Sequence, residues 1–214
     1  MLALLHTSPV HVPVFDALRD QAHAGLELRH FVDEDLLTRA RAQGPDAVAD
    51  DVRAVLARAV AEGAGAVLCT CSTLGAVAET VARSAAAGVP VLRVDRPMAA
   101  AAVAAGPRVV VLAALKSTLG PTAELVAEEA ARAGRPVAVR TLLVDGAWDR
   151  FEVGDTDGYV RLVAAAADTV TDADAIVLAQ ASMAPAQHLT TTPVPVLSSP
   201  APGLAAGAEA ARGH

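Results

Sequence analysis

Short apolar runs alternate along this chain with longer segments in which apolar residues recur at the three- and four-residue spacing of an amphipathic helix. The runs predict strands at Ala3 to His6, Leu26 to Val32, Ala64 to Cys71, Val89 to Val94, Arg108 to Ala113, Val137 to Val144, Ala175 to Ala179 and Pro195 to Leu197. The longer segments predict helices at Val12 to Ala24, Asp46 to Glu62, Leu74 to Ala87, Met98 to Ala105, Pro121 to Ala133, Thr156 to Val170, Ala181 to Leu189 and Gly203 to Arg212. This alternation predicts an α/β fold with mainly parallel sheets flanked by helices.

Two stretches of the chain resemble each other. Residues 65–73 align with residues 174–182, and each stretch is followed at nearly the same distance by Val-Pro-Val-Leu, at 89–92 and at 194–197. This internal repeat predicts two pseudo-symmetric lobes whose strand ends face a common cleft. We expect the first lobe to comprise residues 1–95 and the closing helix at about 200–214, and the second lobe residues 96–199.

Composition and charge exclude several classes of function. The 214 residues are 53% hydrophobic but only 2% aromatic, and the formal net charge is −7. Binding of nucleic acid needs a basic surface, so no nucleic-acid partner is expected. The N-terminus lacks the basic region of a signal peptide, and the apolar run at 98–106 is too short to cross a bilayer. We therefore expect a cytoplasmic protein with no membrane partner.

The leading chemical candidate is Cys71, which ends the apolar run that begins at Ala64. Ser72 and Thr73 follow it, and the next predicted helix begins at Leu74. A strand that leads into a helix N-terminus is where α/β sheets place ligands, and the helix amides and dipole there lower a thiol's pKa and attract a carboxylate. We interpret Cys71 as an active thiol. The alternative is a buried structural cysteine followed by residues that only cap the helix.

Further candidates lie at the other strand ends. His6 and Thr7 end the first strand and should face the cleft, where His6 is either a proton donor or a structural histidine. The repeat places Gln180 opposite Cys71. The remaining candidates for substrate binding are hydroxyl groups and turn residues of the second lobe, namely Ser117, Thr118, Ala181 and Ser182.

Metal and nucleotide sites are not expected. The histidines are scattered without the spacing of a ligand set, and the two cysteines, Cys69 and Cys71, provide too few thiols for a zinc site. No glycine-rich phosphate loop follows the first strand. Cys69 lies inward of Cys71 on the same strand and is expected in the core.

Several motifs occur in a fixed order along the chain: Cys-Ser-Thr at 71–73, Leu-Ala-Ala-Leu-Lys-Ser-Thr at 112–118 and Val-Leu-Ala-Gln-Ala-Ser-Met-Ala at 177–184. In this order they resemble the aspartate/glutamate/hydantoin racemase superfamily along most of the chain. The corresponding family motifs are of the types Cys-Asn-Thr, Ala-Thr-x-x-Thr and Leu-Gly-Cys-Ala-Gly-Met-Ala. Segments at 32–34 and 94–98 are also similar to family segments.

The resemblance implies two flavodoxin-like lobes, no cofactor, a small carboxylate as substrate, and a homodimer or higher oligomer. It also implies that two thiols flank the substrate's α-carbon, one to remove the proton and one to return it. In this chain Gln180 takes the place of the second thiol, and an amide neither ionises nor gives up a proton near neutral pH. Gln180 can still donate a hydrogen bond to an enolate or a carboxylate.

Two classes of function remain open. The first is an isomerase of the racemase or epimerase type that uses Cys71 as its single thiol, and racemisation would then need a second proton carrier such as His6, a carboxylate or water. Decarboxylation as by arylmalonate decarboxylase, or isomerisation as by maleate isomerase, needs only one proton delivery and is the alternative within this class. The second class is a binding protein that retains a carboxylate site without turnover.

Overall fold

The structure is a computed structural model that describes residues 1–85 and 88–213. The strands are β1 (Leu2–His6), β2 (Leu28–Val32), β3 (Ala66–Cys69), β4 (Val91–Arg93), β5 (Arg108–Ala113), β6 (Ala138–Leu143), β7 (Ala175–Leu178) and β8 (Val196–Ser198). The α-helices are α1 (Val12–Ala22), α2 (Glu34–Gln43), α3 (Ala49–Ala61), α4 (Gly75–Ala85), α5 (Arg96–Ala105), α6 (Lys116–Ala133), α7 (Ala147–Glu152), α8 (Thr156–Asp168) and α9 (Pro200–Arg212). Three 3-10 helices lie at Pro9–His11, Pro45–Val48 and Ala181–His188.

The chain forms two compact units. One comprises Met1–Val94 together with the segment that begins at Pro200, and the other comprises Asp95–Ser199. The first unit contains a sheet of order β2-β1-β3-β4 and the second a sheet of order β6-β5-β7-β8, with parallel pairing throughout both. The predicted α/β class, with two sheets of the same topology flanked by helices, is confirmed.

The two sheets repeat each other in register as well as in order. β3 lies between β1 and β4, and β7 lies between β5 and β8. β3 ends at Cys69 and β7 ends at Leu178. Cys71 therefore lies two residues beyond the end of β3, and Gln180 lies two residues beyond the end of β7, which occupies the equivalent place in the second sheet.

The first unit has an apolar layer on each face of its sheet. One layer packs Leu5 and Cys69 against α2, α3 and α4. The other packs Leu4 of β1 against Phe15 of α1 and Leu204 of α9. The two layers take alternate residues of each strand, because successive side chains of a strand point to opposite faces. The expectation that Cys69 belongs to the core is confirmed.

The second unit is built in the same way. One face of its sheet packs Leu112 and Leu178 against α8. The opposite face packs Val111 and Val177 against α5 and α6. β7 and all of β5 after Arg108 are apolar, which is typical of parallel strands that are covered on both faces.

Helix α6 begins earlier than the sequence predicts. The Gly120-Pro121 pair predicts a helix that starts at Pro121, whereas α6 starts at Lys116 and continues through both residues. The prediction was wrong because a proline near the beginning of a helix removes only one backbone hydrogen bond, which the rest of an 18-residue helix can sustain. Ser117 and Thr118 consequently lie inside the first turn of α6 rather than ahead of the helix.

Other differences concern short or polar elements. Helix α2 was not predicted because only Leu36 and Ala40 are buried on it, and its start is capped by Asp33, whose carboxylate accepts a hydrogen bond from the N–H of Asp35 at 3.1 Å. Helix α7 has six residues and shows little periodicity. The segment at 181–188 is a 3-10 helix. In the predicted helix at 74–87, residues 86 and 87 lie outside the described residues. None of the described helices has both the length and the apolar composition that crossing a membrane requires.

Helix α9 packs closely on the first sheet because it is rich in glycine and alanine. A Cβ atom on Gly203 would collide with the carbonyl oxygen of Val94 and lie 2.5 Å from its Cγ2 atom. A Cβ on Gly207 would lie 3.0 Å from the Cδ2 atom of Leu2, the tip of a flexible side chain. The absence of a side chain is thus required at Gly203 and less so at Gly207.

We expect Gly203→Ala to lower the free energy of unfolding by about 1–3 kcal/mol, because the backbone of Val94 cannot move without disturbing the end of β4. The matched control is Gly207→Ala in the same helix, where rotation of Leu2 relieves the contact and the loss should be smaller. Urea denaturation followed by circular dichroism measures both. Equal losses in the two variants would contradict this description of the packing.

Candidate active site

The strand β3 brings Cys71 to the carboxyl end of the first sheet. Thr70 still pairs with β1, because its N–H donates to the carbonyl oxygen of Leu5 at 3.0 Å. The N–H of Leu74 donates to the carbonyl oxygen of Cys71 at 3.1 Å and closes a turn directly before α4. The side chain of Cys71 is half-buried, whereas Cys69 is fully buried. Of the two thiols, only that of Cys71 has access to solvent.

Ser72 and Thr73 are the middle of this turn, and both are buried. Their backbone N–H groups precede α4, whose N-terminus carries the positive end of the helix dipole. A turn of this kind can hold an anionic group such as a carboxylate. This turn follows the thiol of Cys71 directly along the chain.

His6 is at the centre of a hydrogen-bonded network on one face of the first sheet, opposite to the face whose apolar layer Cys71 joins. Thr70 Oγ1 donates to the carbonyl oxygen of Leu5 at 3.0 Å, so it accepts from Nδ1–H of His6 at 2.8 Å. Nε2 of His6 then accepts from Nδ1–H of His30, also at 2.8 Å. Nε2 of His30 lies 3.4 Å from the carboxylate of Asp16. Both ring nitrogens of His6 are therefore occupied.

The environment keeps His6 neutral. Its side chain is fully buried, and this burial, together with the neighbouring His30 and His11, lowers the pKa of His6 to about 3. Burial also lowers the pKa of His11 to about 4. The ring of His6 packs on Phe15 of α1, whereas Cys71 packs with the layer that covers the opposite face of the sheet. A neutral imidazole in this position has no acidic proton to supply near neutral pH.

The second unit uses Gln180 at the position equivalent to Cys71. Oε1 of Gln180 accepts hydrogen bonds from the N–H groups of Ala114 at 2.8 Å and Leu115 at 3.0 Å. These amides join β5 to α6, and Leu115 makes no side-chain cap for the helix. The oxygen of Gln180 thereby satisfies two donors of the 112–118 motif, one of the three motifs that carry the family resemblance. Its amide NH2 group is consequently oriented away from that segment.

Ser182 is held by a residue that the sequence analysis did not single out. Its hydroxyl lies 2.8 Å from the hydroxyl of Tyr159 on α8. Tyr159 is nearly fully buried, and burial raises its pKa to about 12 despite this hydrogen bond. Tyr159 therefore remains protonated at neutral pH and fixes the start of the 3-10 helix that follows Gln180.

The remaining predicted residues lie at strand ends and first turns, as follows. Thr7 is buried directly after β1, Thr118 is buried in the first turn of α6, and Ala181 is buried at the start of the 3-10 helix. Ser117 is half-buried, and its Oγ atom has no hydrogen-bond partner within the described part of the chain. The structure joins His6 to Thr70 and Gln180 to the β5–α6 segment, and it groups Cys71, Ser72 and Thr73 in one turn.

Two functional candidates were missed, Arg93 and Tyr159. Arg93 is buried at the end of β4 and contacts the turn that carries Cys71. Its signal in the sequence is a single arginine within the apolar strand Val-Leu-Arg-Val at 91–94. Tyr159 is the single tyrosine of the chain, on an otherwise alanine-rich helix. Within residues 1–85 and 88–213, no group of three or more histidine, cysteine or acidic side chains is placed to hold a metal ion.

A sequence model of the family described as Asp/Glu/hydantoin racemase matches residues 9–207. This match covers most of the chain, and the chain belongs to that family. A comparison with curated proteins finds no match.

Solved structures of the same fold include two racemases and a decarboxylase. Aspartate racemase from Picrophilus torridus has a TM-score of 0.69 at 14% identity, over 99% of this chain and 94% of that one. Glutamate racemase from Thermus thermophilus has a TM-score of 0.67 at 20% identity, over 99% and 80%. Arylmalonate decarboxylase has a TM-score of 0.60 at 19% identity, over 100% and 94%. At these identities the likeness establishes the fold.

We expect His6 and His11, whose pKa values are lowered in the folded protein, to make the protein sensitive to acid. A histidine whose pKa is lowered by folding contributes stability that is complete above its ordinary value of 6.5 and is lost as the pH falls toward the folded-state pKa, here about 3 for His6 and about 4 for His11. The free energy of unfolding should fall by about 1.4 kcal/mol per pH unit for each of them below 6.5. His6→Gln should remove part of this slope, and the control His188→Gln, at an exposed position, should not. Urea unfolding at pH 7.5, 6 and 5 measures how the free energy of unfolding depends on pH. An unchanged slope in His6→Gln would contradict the attribution of this dependence to His6.

Proposed function

We propose that this protein catalyses cofactor-independent proton transfer at the α-carbon of a small carboxylate or related carbonyl compound. Cys71 is the single acid/base, and Gln180 replaces the second thiol of the two-thiol mechanism. Membership of the racemase family supports an enzyme that acts on such compounds. The proposal concerns which of its groups carries the proton.

The observation that carries this proposal is the difference between two equivalent positions. Cys71 and Gln180 both lie two residues beyond the end of the strand that occupies the same place in each sheet. One position presents a half-buried thiol at a helix N-terminus. The other presents an amide whose oxygen is bound to two backbone N–H groups. Only the first can ionise.

In the proposed reaction the Cys71 thiolate removes the proton from the α-carbon, and the electron pair of the C–H bond passes into the adjacent carbonyl or carboxylate to give an enolate. The thiol then returns a proton to the same face of the carbon, so the α-hydrogen exchanges with solvent while the configuration is retained, and inversion would need a second proton carrier. The N–H groups of the turn at Ser72 and Thr73 would hold the substrate carboxylate. His6 is not used as a second acid in this proposal, because its pKa of about 3 leaves it neutral and both of its nitrogens are bound.

Gln180 is assigned to stabilise the enolate. Because Oε1 is fixed by Ala114 and Leu115, the rotation of the amide is determined and Nε2 is the end that remains to donate. A pre-oriented donor aimed at developing negative charge accelerates such reactions without forming a bond to the substrate. Gln180 in this role would lower the energy of the enolate but could not protonate it.

Decarboxylation is the second candidate function, favoured by the presence of only one thiol. In that reaction the bond between the α-carbon and a carboxylate carbon breaks, CO2 leaves, and the electron pair remains on an enolate. The Cys71 thiol then delivers the one proton that the product needs. The solved structure of arylmalonate decarboxylase shares the fold over the full length of this chain. A binding protein without turnover is the third candidate.

We expect wild-type protein to exchange the α-proton of a substrate for deuterium, or to release CO2, with at least one member of a panel of amino acids, hydantoins and substituted malonates. Cys71→Ala should reduce the rate by about 100-fold or more, because the acid/base group is removed. The matched control is Cys69→Ser, which removes the fully buried thiol two residues away, keeps a donor for the carbonyl oxygen of Cys71, and should retain the rate. Proton NMR in D2O follows both reactions.

Each result of this experiment has a defined meaning. Equal rates in Cys71→Ala and wild type would show that another group carries the proton. No exchange and no CO2 release by wild type across the panel would favour a binding protein without turnover. Ligand-detected NMR with the same compounds would then test whether any of them binds.

We expect Gln180→Glu and Gln180→Ala to separate the two hydrogen-bonding roles of Gln180. A glutamate retains the acceptors for Ala114 and Leu115, so it should preserve stability, but it has no N–H to donate and should lower kcat by about 100-fold. Alanine removes both roles and should in addition cost about 1–3 kcal/mol of unfolding free energy. Steady-state kinetics and urea unfolding test this; full activity of Gln180→Glu would refute the donor role.

A further inference from the structure

Arg93 is an unusual residue for its position. It is the last residue of β4, pairs in register with Cys69 of β3, and is only 2% exposed. Burying a guanidinium in place of an apolar side chain costs several kcal/mol of lost hydration. Such a cost is sustained in proteins where the charge has partners or a function.

The side chain of Arg93 lies on the turn that carries Cys71. Nη2 of Arg93 donates to the carbonyl oxygen of Ser72 at 3.4 Å. A Cβ atom built on Gly75 would lie 2.7 Å from Nε and 3.0 Å from Cζ of Arg93. These two independent contacts place the guanidinium against both the middle of the turn and the first residue of α4.

The absence of a side chain at Gly75 is explained by this contact. The guanidinium is flat and rigid, and the bare backbone of Gly75 lets it approach the start of the helix. The helix dipole disfavours a positive charge at the helix N-terminus. A negative charge at the same place is favoured by the dipole and by the nearby guanidinium. A thiolate on the turn would therefore be stabilised by the guanidinium and by the helix together.

We propose that Arg93 is a positioning residue for Cys71: its guanidinium fixes the turn through Ser72 and favours the thiolate over the thiol. This inference rests on the proposed function for its catalytic meaning, but it concerns a property of the thiol that needs no substrate. Arg93 acts through the turn and makes no contact with the reacting atoms in this scheme. Gly75 is its partner, because it provides the space that the guanidinium occupies.

The test is the rate at which iodoacetamide alkylates Cys71 as a function of pH, in a Cys69→Ser background where Cys71 is the single thiol and the donor to its carbonyl oxygen is kept. Arg93→Met should raise the apparent pKa of the thiol by about one unit, which is a tenfold smaller thiolate fraction near neutral pH. Arg93→Lys should restore part of the shift, because it keeps the charge but not the flat geometry. Arg83→Met, at an exposed position of α4, is the control for loss of a positive charge and should leave the profile unchanged.

Gly75→Ala tests the geometry without removing the charge. Its methyl group must displace the guanidinium, so the apparent pKa of Cys71 should rise here as well. This variant also keeps the proposal falsifiable if Arg93→Met fails to fold. Alkylation profiles identical to the parent in the folded Arg93 and Gly75 variants would overturn the proposal.

The alkylation readout separates this proposal from the proposed reaction. Loss of exchange in Cys71→Ala without any alkylation shift in the Arg93 variants would leave the reaction standing and refute the role of Arg93. The opposite result is a raised apparent thiol pKa in the Arg93 variants together with unchanged exchange in Cys71→Ala. It would refute the proposed reaction and leave Arg93 as the group that favours the thiolate of Cys71.

Discussion

The parallel pairing of β3 between β1 and β4 is the constraint on which the rest of the candidate site depends. Because the three strands run in the same direction, their carboxyl ends meet at one edge of the sheet, and the chain must leave β3 there through a turn into α4. Cys71 lies in that turn, His6 ends β1 and Arg93 ends β4. One backbone register thus brings a thiol, an imidazole and a guanidinium to the same edge from distant parts of the sequence.

The second sheet repeats this register but supports different chemistry. At the position equivalent to Cys71, the oxygen of Gln180 binds the N–H groups of Ala114 and Leu115, so the turn into α6 is satisfied from within the protein. In the first sheet the turn after β3 carries the ionisable side chain of Cys71, and the buried guanidinium of Arg93 lies against it. A repeated scaffold with one ionisable end is consistent with a reaction that needs only one proton carrier. The difference lies in the side chains at the equivalent positions of Cys71 and Gln180 rather than in the fold.

The strands and the repeat could be predicted because parallel strands covered on both faces form continuous apolar runs, which place Cys71 and Gln180 at equivalent strand ends. The network around His6 could not, because its partner His30 is brought beside it only by the register of β1 with β2. The placement of Arg93 was equally hidden, since its contact with Gly75 depends on how β4 packs beside α4. Helix α2 was missed because few of its side chains are buried.

The central claim is that one thiol both removes and returns the proton. The most direct measurement follows an enantiopure, exchangeable substrate in D2O and compares the rate of deuterium incorporation at the α-carbon, by NMR, with the rate of inversion, by chiral chromatography. A single thiol on one face predicts incorporation of deuterium with retention of configuration, so exchange should outpace inversion by at least about tenfold. Inversion at the same rate as exchange would require a second proton carrier and would contradict the account.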